Sequence, residues 1–244
     1  MTYFVILGLP RSGTTYLQTL LNSDPRIQCR GESFDPWQID DDGQKINDFD
    51  RLVARDANPA AFFDERLSLR KWGTKDALEA VGIKVLFQHN PRLLSDILPS
   101  RPDLKLIFVH RANKLAQFAS MRHTEITGEW TRTGAGQPAP KLKAHVHWLT
   151  SQCNELANKD FLLGHWLQTL PNQLLTVEYR DMFAPGFDRR VLEHLGLPPG
   201  AGLSSPLRKQ GNNTVVERYE NADEIADYLT RVGKANWLGP ELQA

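Results

Sequence analysis

The sequence predicts an α/β fold, a single domain whose mainly parallel central sheet of about four to five strands is flanked by helices. A continuous apolar run at residues 3–7 is typical of a fully buried strand, residues 82–87 and 104–109 are further largely apolar strand candidates, and residues 174–183 are interpreted as a strand followed by a turn. Stretches with helical spacing lie between them, as in other α/β chains. A chain of 244 residues is long enough for one large domain with a substantial core, so residues 1–244 are interpreted as one unit.

Helical periodicity predicts the elements that flank this sheet. A short additional strand is expected at residues 27–29. Helices are expected at 47–54, 60–69, 92–98, 141–163, 189–195 and 217–232, besides those that begin near residues 14 and 112.

The composition excludes several classes of protein. Lys and Arg number 29 together, and so do Asp and Glu, so no global field favours nucleic acid or a membrane surface. Two cysteines, Cys29 and Cys153, cannot form a disulfide framework, which fits a reducing compartment. The sequence shows neither a signal segment nor an apolar stretch of about 20 residues, which predicts a cytoplasmic protein without a transmembrane segment. No His, Cys and carboxylate cluster has metal-ligand spacing, so no metal is expected.

The strongest local signal is a strand, a glycine loop and a helix within residues 3–22. The apolar run 3–7 leads into a turn bounded by Gly8 and Gly13, and Leu17 lies on the helix that follows. Backbone N–H groups of such a loop, together with the positive end of the helix dipole, form a cradle for an anion. The alternative is a turn that only packs the helix on the strand.

This loop departs from the P-loop of nucleotide hydrolases. Gly8 and Gly13 have the P-loop spacing, but Thr14 stands where the lysine is required, and Thr15 follows it. The positive charge has moved inside the loop, to Arg11. The strand at 104–109 leads into His-Arg rather than the Asp that holds magnesium, so a standard NTPase is disfavoured. A kinase or NTPase with a degenerate loop stays open as an alternative.

The loop resembles the 5′-phosphosulfate-binding loop of sulfotransferases that use 3′-phosphoadenosine 5′-phosphosulfate (PAPS), most closely the bacterial carbohydrate enzymes of the lipopolysaccharide, nodulation-factor and trehalose types. The resemblance implies transfer of a sulfuryl group from PAPS to a hydroxyl of a carbohydrate, glycolipid or small molecule, with PAP as the other product. It implies that the donor is bound by Pro10, Arg11, Ser12, Gly13, Thr14, Thr15 and Tyr16. Arg11 would also neutralise charge that develops on the leaving phosphate.

Two further segments resemble 3′-phosphate-binding elements of the same family. Arg111 follows the strand at 104–109, and Ser120 comes nine residues later on a helix. Arginine offers a planar fork to a phosphate dianion, and serine donates a hydrogen bond. Late in the chain, Arg208, Lys209 and Gly211 approximate the family's Arg-Lys-Gly element with one residue inserted. A solvated charged loop is the alternative for these three.

Two residues are candidates for the general base that takes the proton from the acceptor hydroxyl. Glu32 lies at a distance behind the loop similar to that of the base proposed in trehalose-type enzymes. His89 follows the strand at 82–87, at the sheet edge where ligands bind in open parallel sheets. The choice between them stays open. If neither residue served as a base, the chain would be a non-catalytic protein that binds PAP or PAPS.

The acceptor side is expected in two variable segments. Residues 35–75 form a poorly regular stretch, and residues 131–140 form a loop rich in glycine, threonine and proline that is expected to act as a lid. Sugars stack on aromatic faces, so a set of aromatic residues is a candidate for the acceptor pocket, with ordinary packing as the alternative. This set is Phe34, Trp37, Phe62, Phe63 and Trp72.

Overall fold

The computed structural model describes residues 1–41, 43–68, 78–134, 139–200 and 202–242. Its centre is a five-stranded sheet in which every neighbouring pair is parallel, in the order β2-β5-β1-β6-β7. These strands are β1 (Thr2–Gly8), β2 (Ile27–Arg30), β5 (Ala80–Leu86), β6 (Lys105–His110) and β7 (Leu174–Glu178). A small antiparallel hairpin pairs β3 (Ile39–Asp41) with β4 (Gln44–Ile46). The predicted parallel α/β fold is confirmed.

Helices cover both faces of the sheet. They are α1 (Thr14–Leu21), α2 (Phe49–Ala57), α3 (Pro59–Ser68), α4 (Lys114–Thr127), α5 (Val146–Gln168), α6 (Phe187–Leu195) and α7 (Ala222–Arg231). Short helical turns occur at Leu93–Ile97, Tyr179–Phe183, Val216–Arg218 and Ala235–Trp237. No helix in these ranges combines the length and the apolar character that crossing a membrane requires.

The alternation of side chains along β1 divides the core into two layers. Phe4 and Ile6 pack with the apolar residues of α1 and α6 on one face. Val5 and Leu7 pack with α3 and the second half of α5 on the other face. Because successive strand residues point to opposite faces, an apolar run without interruption is what a strand covered on both sides requires. A third cluster joins α4, the first half of α5 and α7.

The strand order positions the site. β1 lies at the centre. After β1 the chain forms the edge strand β2 and returns to β5 beside β1, and it then crosses to β6 and β7 on the other side. In open α/β sheets, ligands bind beyond the carboxyl ends of the strands where the order reverses in this way. The loop 9–13, which follows β1, lies at this point.

Three predicted helices have different boundaries. The helix expected at 141–163 begins at Val146, because Leu142 forms a β-bridge with Tyr219 and holds the preceding segment extended. The helix expected at 217–232 begins at Ala222, after the separate turn Val216–Arg218. The segment expected as a helix at 92–98 is a single π-turn at Leu93–Ile97.

Three of the aromatic residues considered for an acceptor pocket lie together, but in the core. Phe34 and Phe63 are buried between the sheet and α3, and the Phe34 ring contacts the rings of Phe62 and Phe63, so the pocket interpretation is wrong for Phe34 and Phe63 and the alternative, ordinary packing, holds. Phe62 packs against the same cluster, and Trp37 is 83% exposed. Trp72 lies outside the described residues. So do residues 135–138 of the expected lid.

Candidate active site

The loop after β1 is shaped by two glycines. A side chain at Gly8 would meet the Val109 carbonyl oxygen of the neighbouring strand at 2.5 Å. Gly13 has φ of 107°, and a side chain there would meet Tyr179 and Met182 at 2.7 Å. Both positions therefore require glycine, one for close approach of strands and one for its left-handed backbone as well. This turn places Thr14 at the start of α1.

The loop presents donors for an anion. Thr14, Thr15 and Tyr16 open α1, and the first N–H groups of a helix have no partner within the helix. The Ser12 hydroxyl is buried and has no hydrogen-bond partner within the described ranges. A buried polar atom without a partner is costly, which favours a polar ligand at this loop. The strand, the glycine turn and the helix start that the sequence predicted are all present, while anion binding by the loop stays a prediction.

The side chain of Arg11 points away from the start of α1. Its backbone has φ of 62°, the only positive value at a non-glycine residue in the part of the chain that the structure describes. Its Nε donates to Ser120 Oγ at 2.8 Å, and its two Nη atoms donate to the Trp130 carbonyl and to Gln210 Oε1. Arg11 therefore lies beside the serine expected to bind the other phosphate. Burial and the charge of Arg111 lower the pKa of Arg11 to about 10.

A buried carboxylate organises the second cationic region. Glu241 Oε1 lies 2.6 Å from Arg111 Nε, and its Oε2 lies 2.9 Å from both Lys209 Nζ and Arg218 Nη2. Although burial alone would raise the pKa of Glu241, these three cations hold it well below its ordinary value. Three cations around one carboxylate leave a net double positive charge. A phosphate monoester at neutral pH carries nearly the matching negative charge.

A cavity of about 460 Å³ connects the two regions. Its walls combine residues of the loop and α1, Arg111 after β6, residues of α4, and residues of the segment 205–218. The lining includes Arg11, Gly13, Thr14, Thr15, Tyr16, Arg111, Ser120, Arg208, Lys209, Gly211 and Arg218. The structure thus brings Arg208, Lys209 and Gly211 to the same cavity as Arg111 and Ser120. Trp130, just before the expected lid, and Thr131 and Arg132, its first two residues, also border the cavity.

The two candidate bases lie together on the β2–β5 side of the loop. Glu32 Oε1 is 2.9 Å from Lys84 Nζ, and Glu32 Oε2 is 3.6 Å from His89 Nε2. Lys84 Nζ also donates to Thr15 Oγ1 at 2.9 Å. Burial would raise the pKa of Glu32, but His89 and Lys84 outweigh it and lower this pKa to about 2. The carboxylate is therefore ionised at every pH at which the protein is expected to work.

His89 is held by its other ring nitrogen. The Leu86 N–H donates to His89 Nδ1 at 3.2 Å, and the histidine is buried. In the neutral ring the proton therefore sits on Nε2, the nitrogen that faces Glu32. A ring in this tautomer has no free lone pair directed toward Glu32, so His89 is arranged to orient the carboxylate.

Three residues of this arrangement were missed from the sequence. Lys84 interrupts an otherwise apolar buried strand, and that interruption was a usable signal. Arg218 and Glu241 carry no motif, since only the tertiary structure brings them to Arg111. Within the described ranges, no group of three or more His, Cys, Asp and Glu side chains is arranged to hold a metal ion.

Comparison with known proteins identifies the class. The family model described as "Sulfotransferase family" matches residues 4–199, so the chain belongs to the sulfotransferase family. It is a sulfotransferase enzyme, and the family predicted from the loop is confirmed.

Individual relatives agree with this assignment. Nodulation protein H of Rhizobium meliloti (strain 1021) is 29% identical over 232 residues, covering 91% of this chain and 89% of that protein. Nodulation protein H of Rhizobium tropici is 29% identical over 229 residues, covering 89% and 81%. The crystal structure of a sulfotransferase from Alicyclobacillus acidocaldarius has a TM-score of 0.53 at 15% identity, covering 97% of this chain and 94% of that one. That structure supports the fold alone.

Proposed function

We propose that this sulfotransferase takes its sulfuryl group from PAPS and transfers it to a hydroxyl of a carbohydrate or glycolipid. The observation that carries the proposal is one cavity with two anion sites, the cradle at the start of α1 and the cationic cluster at Arg111. A nucleotide with phosphate groups at both 5′ and 3′ positions needs two such sites. ATP, with a single chain of phosphates, needs only one.

The residues fit this donor in charge and size. The cavity volume lies within the range of sites for small molecules, about 300–1,000 Å³. The unpartnered Ser12 hydroxyl and the first N–H groups of α1 suit the 5′-phosphosulfate, with Thr14 and Thr15 beside them. Arg111, Lys209 and Ser120 suit the 3′-phosphate. When bound, PAPS supplies an activated sulfuryl group attached to a good leaving phosphate.

Arg11 is proposed to serve both ends of the donor. Its side chain lies at Ser120, on the 3′ side, while its backbone belongs to the loop that binds the 5′ end. Arg111 Nη1 donates to the Arg11 carbonyl at 3.0 Å, so the two arginines are linked directly. A guanidinium at this position neutralises charge on the nucleotide and helps to stabilise the leaving phosphate.

Glu32 is proposed as the general base. It is ionised, and Lys84 and His89 orient it from two sides. The carboxylate takes the proton of the acceptor hydroxyl as the oxygen attacks sulfur in line with the leaving phosphate oxygen. His89 holds Glu32 in place, since its Nδ1 is occupied by the Leu86 N–H.

The acceptor class and location rest on the relatives. Two of them are named Nodulation protein H, and the residues 10–16 and 111–120 resemble bacterial carbohydrate sulfotransferases. We propose a glycan or glycolipid acceptor bound on the β2–β5 side, by residues within 35–75, with 131–140 closing over it. A cytoplasmic, bacterial-type enzyme is consistent with the two buried free thiols, Cys29 and Cys153.

The test is transfer of labelled sulfate. The protein is incubated with ³⁵S-PAPS and a panel of glycans, glycolipids and small alcohols, with and without EDTA. Parallel reactions use ³⁵S-labelled adenosine 5′-phosphosulfate, which lacks the 3′-phosphate. We expect labelled product from PAPS alone, equally with EDTA. Binding of PAP without transfer to any acceptor would contradict the proposal, and so would equal use of both donors.

A further inference from the structure

Lys84 is a buried cation that contacts the donor loop as well as Glu32. It lies on β5, a strand whose seven residues are all buried, and its side chain is 5% exposed. Ala80 of the same strand packs on the α1 face of the sheet, and the two-residue period of a strand puts Lys84 on that face too. A buried ammonium is costly unless it is paired. Its two partners therefore indicate its role.

Those partners belong to the donor loop and to the candidate base. Lys84 Nζ donates to Thr15 Oγ1 at 2.9 Å and lies 2.9 Å from Glu32 Oε1. Thr15 lines the nucleotide cavity at the start of α1. One ammonium group thus links the helix that binds the donor to the carboxylate that activates the acceptor.

The position of this ammonium corresponds to a metal site in P-loop NTPases. Thr15 occupies the Ser/Thr position of the P-loop pattern, whose hydroxyl ligates Mg²⁺ in those proteins. There an acidic residue helps to hold the ion. Here the same hydroxyl and a carboxylate, Glu32, hold Lys84 Nζ. The arrangement is the same in outline, with an ammonium in place of the metal.

The other charge of the loop has different hydrogen-bond partners. The Arg11 guanidinium donates to Ser120, Trp130 and Gln210, and its charge acts on Glu32 only as the weakest of its electrostatic interactions. Thr14 replaces the P-loop lysine. The positive charge beside the first turn of α1 therefore comes from β5, in the form of Lys84.

We infer that Lys84 is a positioning residue for sulfuryl transfer, which fixes Glu32 against Thr15 and supplies the charge that Mg²⁺ supplies in a P-loop NTPase. This inference rests on the proposed function. The ammonium keeps the carboxylate ionised, and it holds the base at a set position relative to the donor loop. Its removal should slow transfer more than it weakens binding of the nucleotide.

The test compares Lys84→Met, which removes the charge at similar size, with Lys84→Arg, which keeps it. Single-turnover transfer from PAPS is measured across pH, and PAP affinity is measured by calorimetry. We expect Lys84→Met to slow transfer by about 10²–10³-fold, as for loss of a preorganised charge at a reacting centre. PAP affinity should change less than about fivefold, and Lys84→Arg should recover part of the rate.

Two readouts separate this role from a purely structural one. In Lys84→Met the acid limb of the rate profile should move to higher pH, because Glu32 loses the cation that lowers its pKa. In a Glu32→Gln background, Lys84→Met should reduce the transfer rate little further, since the effects of substituting residues that act as a unit are not additive. A ¹³C-NMR titration of the Glu32 carboxyl in the free protein should show the same upward shift and needs no turnover.

The matched control is Lys105→Met. Lys105 is also a strand lysine with a hydrogen-bond partner, the carbonyl of the half-buried His194, but it opens β6 at the opposite edge of the sheet. The Lys105→Met substitution should leave the transfer rate and its pH profile unchanged. Lys84→Gln serves as a second variant if Lys84→Met does not fold.

Transfer within twofold of wild type in a folded Lys84 variant would overturn the inference while leaving the proposed function intact. An unmoved Glu32 titration would overturn it as well. If the proposed function itself were wrong, the wild-type protein would transfer no sulfuryl group from PAPS.

Discussion

The Arg111 guanidinium and the Glu241 carboxylate form a buried ion pair, with Nε 2.6 Å from Oε1, although 130 positions separate them in the chain. Arg111 lines the cavity, while Glu241 is 1% exposed and lies behind it. The carboxylate also binds Lys209 and Arg218, so it sets the spacing of three cations. A bound 3′-phosphate would share these cations with Glu241.

Glu241→Gln should destabilise the free protein and increase its response to PAP. Breaking a buried charge pair leaves uncompensated charge and lowers the free energy of unfolding by about 3 kcal/mol. The 3′-phosphate of PAP then supplies the missing negative charge. Thermal unfolding should show a larger PAP-induced rise in Tm for the variant than for wild type, and no larger rise with AMP. Glu217→Gln, at an exposed site, is the control. Equal PAP shifts in both proteins would contradict this account.

Arg111→Ala should weaken PAP far more than AMP. The guanidinium offers charge-assisted hydrogen bonds, each worth about 1.5–3 kcal/mol, so the loss corresponds to about 10–150-fold in PAP affinity. Calorimetry with both nucleotides measures the difference. Arg180→Ala removes an exposed arginine next to Tyr179, whose ring centroid lies 4.5 Å from the Arg111 guanidinium, and it should change neither affinity. Parallel losses for PAP and AMP would show that Arg111 does not recognise the 3′-phosphate.

The preference for PAP over AMP should fall as pH rises above about 8. Burial, opposed by Glu241, lowers the pKa of Lys209 to about 8, so the free protein loses this charge above that pH. A bound 3′-phosphate favours the charged form and raises the pKa of Lys209. Affinity for PAP therefore declines between the free and bound pKa values, by up to about tenfold per pH unit. Lys209→Arg should flatten the profile. A profile that is already flat in wild type would remove Lys209 from the site.

Glu32→Gln and His89→Asn should differ in single-turnover transfer at saturating substrates. Loss of a general base typically costs about 10²–10⁴-fold, and we expect this for Glu32→Gln. His89→Asn should cost less than about tenfold, because His89 orients the carboxylate without accepting the proton. The reverse order would make His89 the base.

The strand, loop and helix at residues 3–22 could be predicted because their signals are local. Gly8 and Gly13 mark backbone positions that no other residue tolerates, and the apolar run before them requires cover on both faces. Arg111 was found for a similar reason, since it directly follows a buried strand at the sheet edge where ligands bind.

The cationic cluster and the orientation of Arg11 could not be predicted in this way. Arg218 and Glu241 lie far from Arg111 in sequence, and only packing of the final segment brings them together. The side chain of Arg11 follows from its left-handed backbone and from contacts with Ser120 and Gln210. For Phe34 and Phe63, residues of the core were considered as residues of a binding pocket. The sequence of an irregular segment does not distinguish an aromatic residue that lines a pocket from one that packs in the core.

The central position of β1 separates two tasks between the flanks of the sheet. Arg111 and Ser120 follow β6 on one flank, whereas Glu32, Lys84 and His89 belong to the β2–β5 flank. In the proposed function, donor recognition and acceptor activation therefore belong to different stretches of chain that meet at the loop. The β2–β5 flank can therefore change in sequence, and with it the acceptor specificity, while the segment after β6 keeps the residues that recognise the donor. A chimera that exchanges residues 35–79 with those of a relative should keep its affinity for PAP and acquire the relative's acceptor.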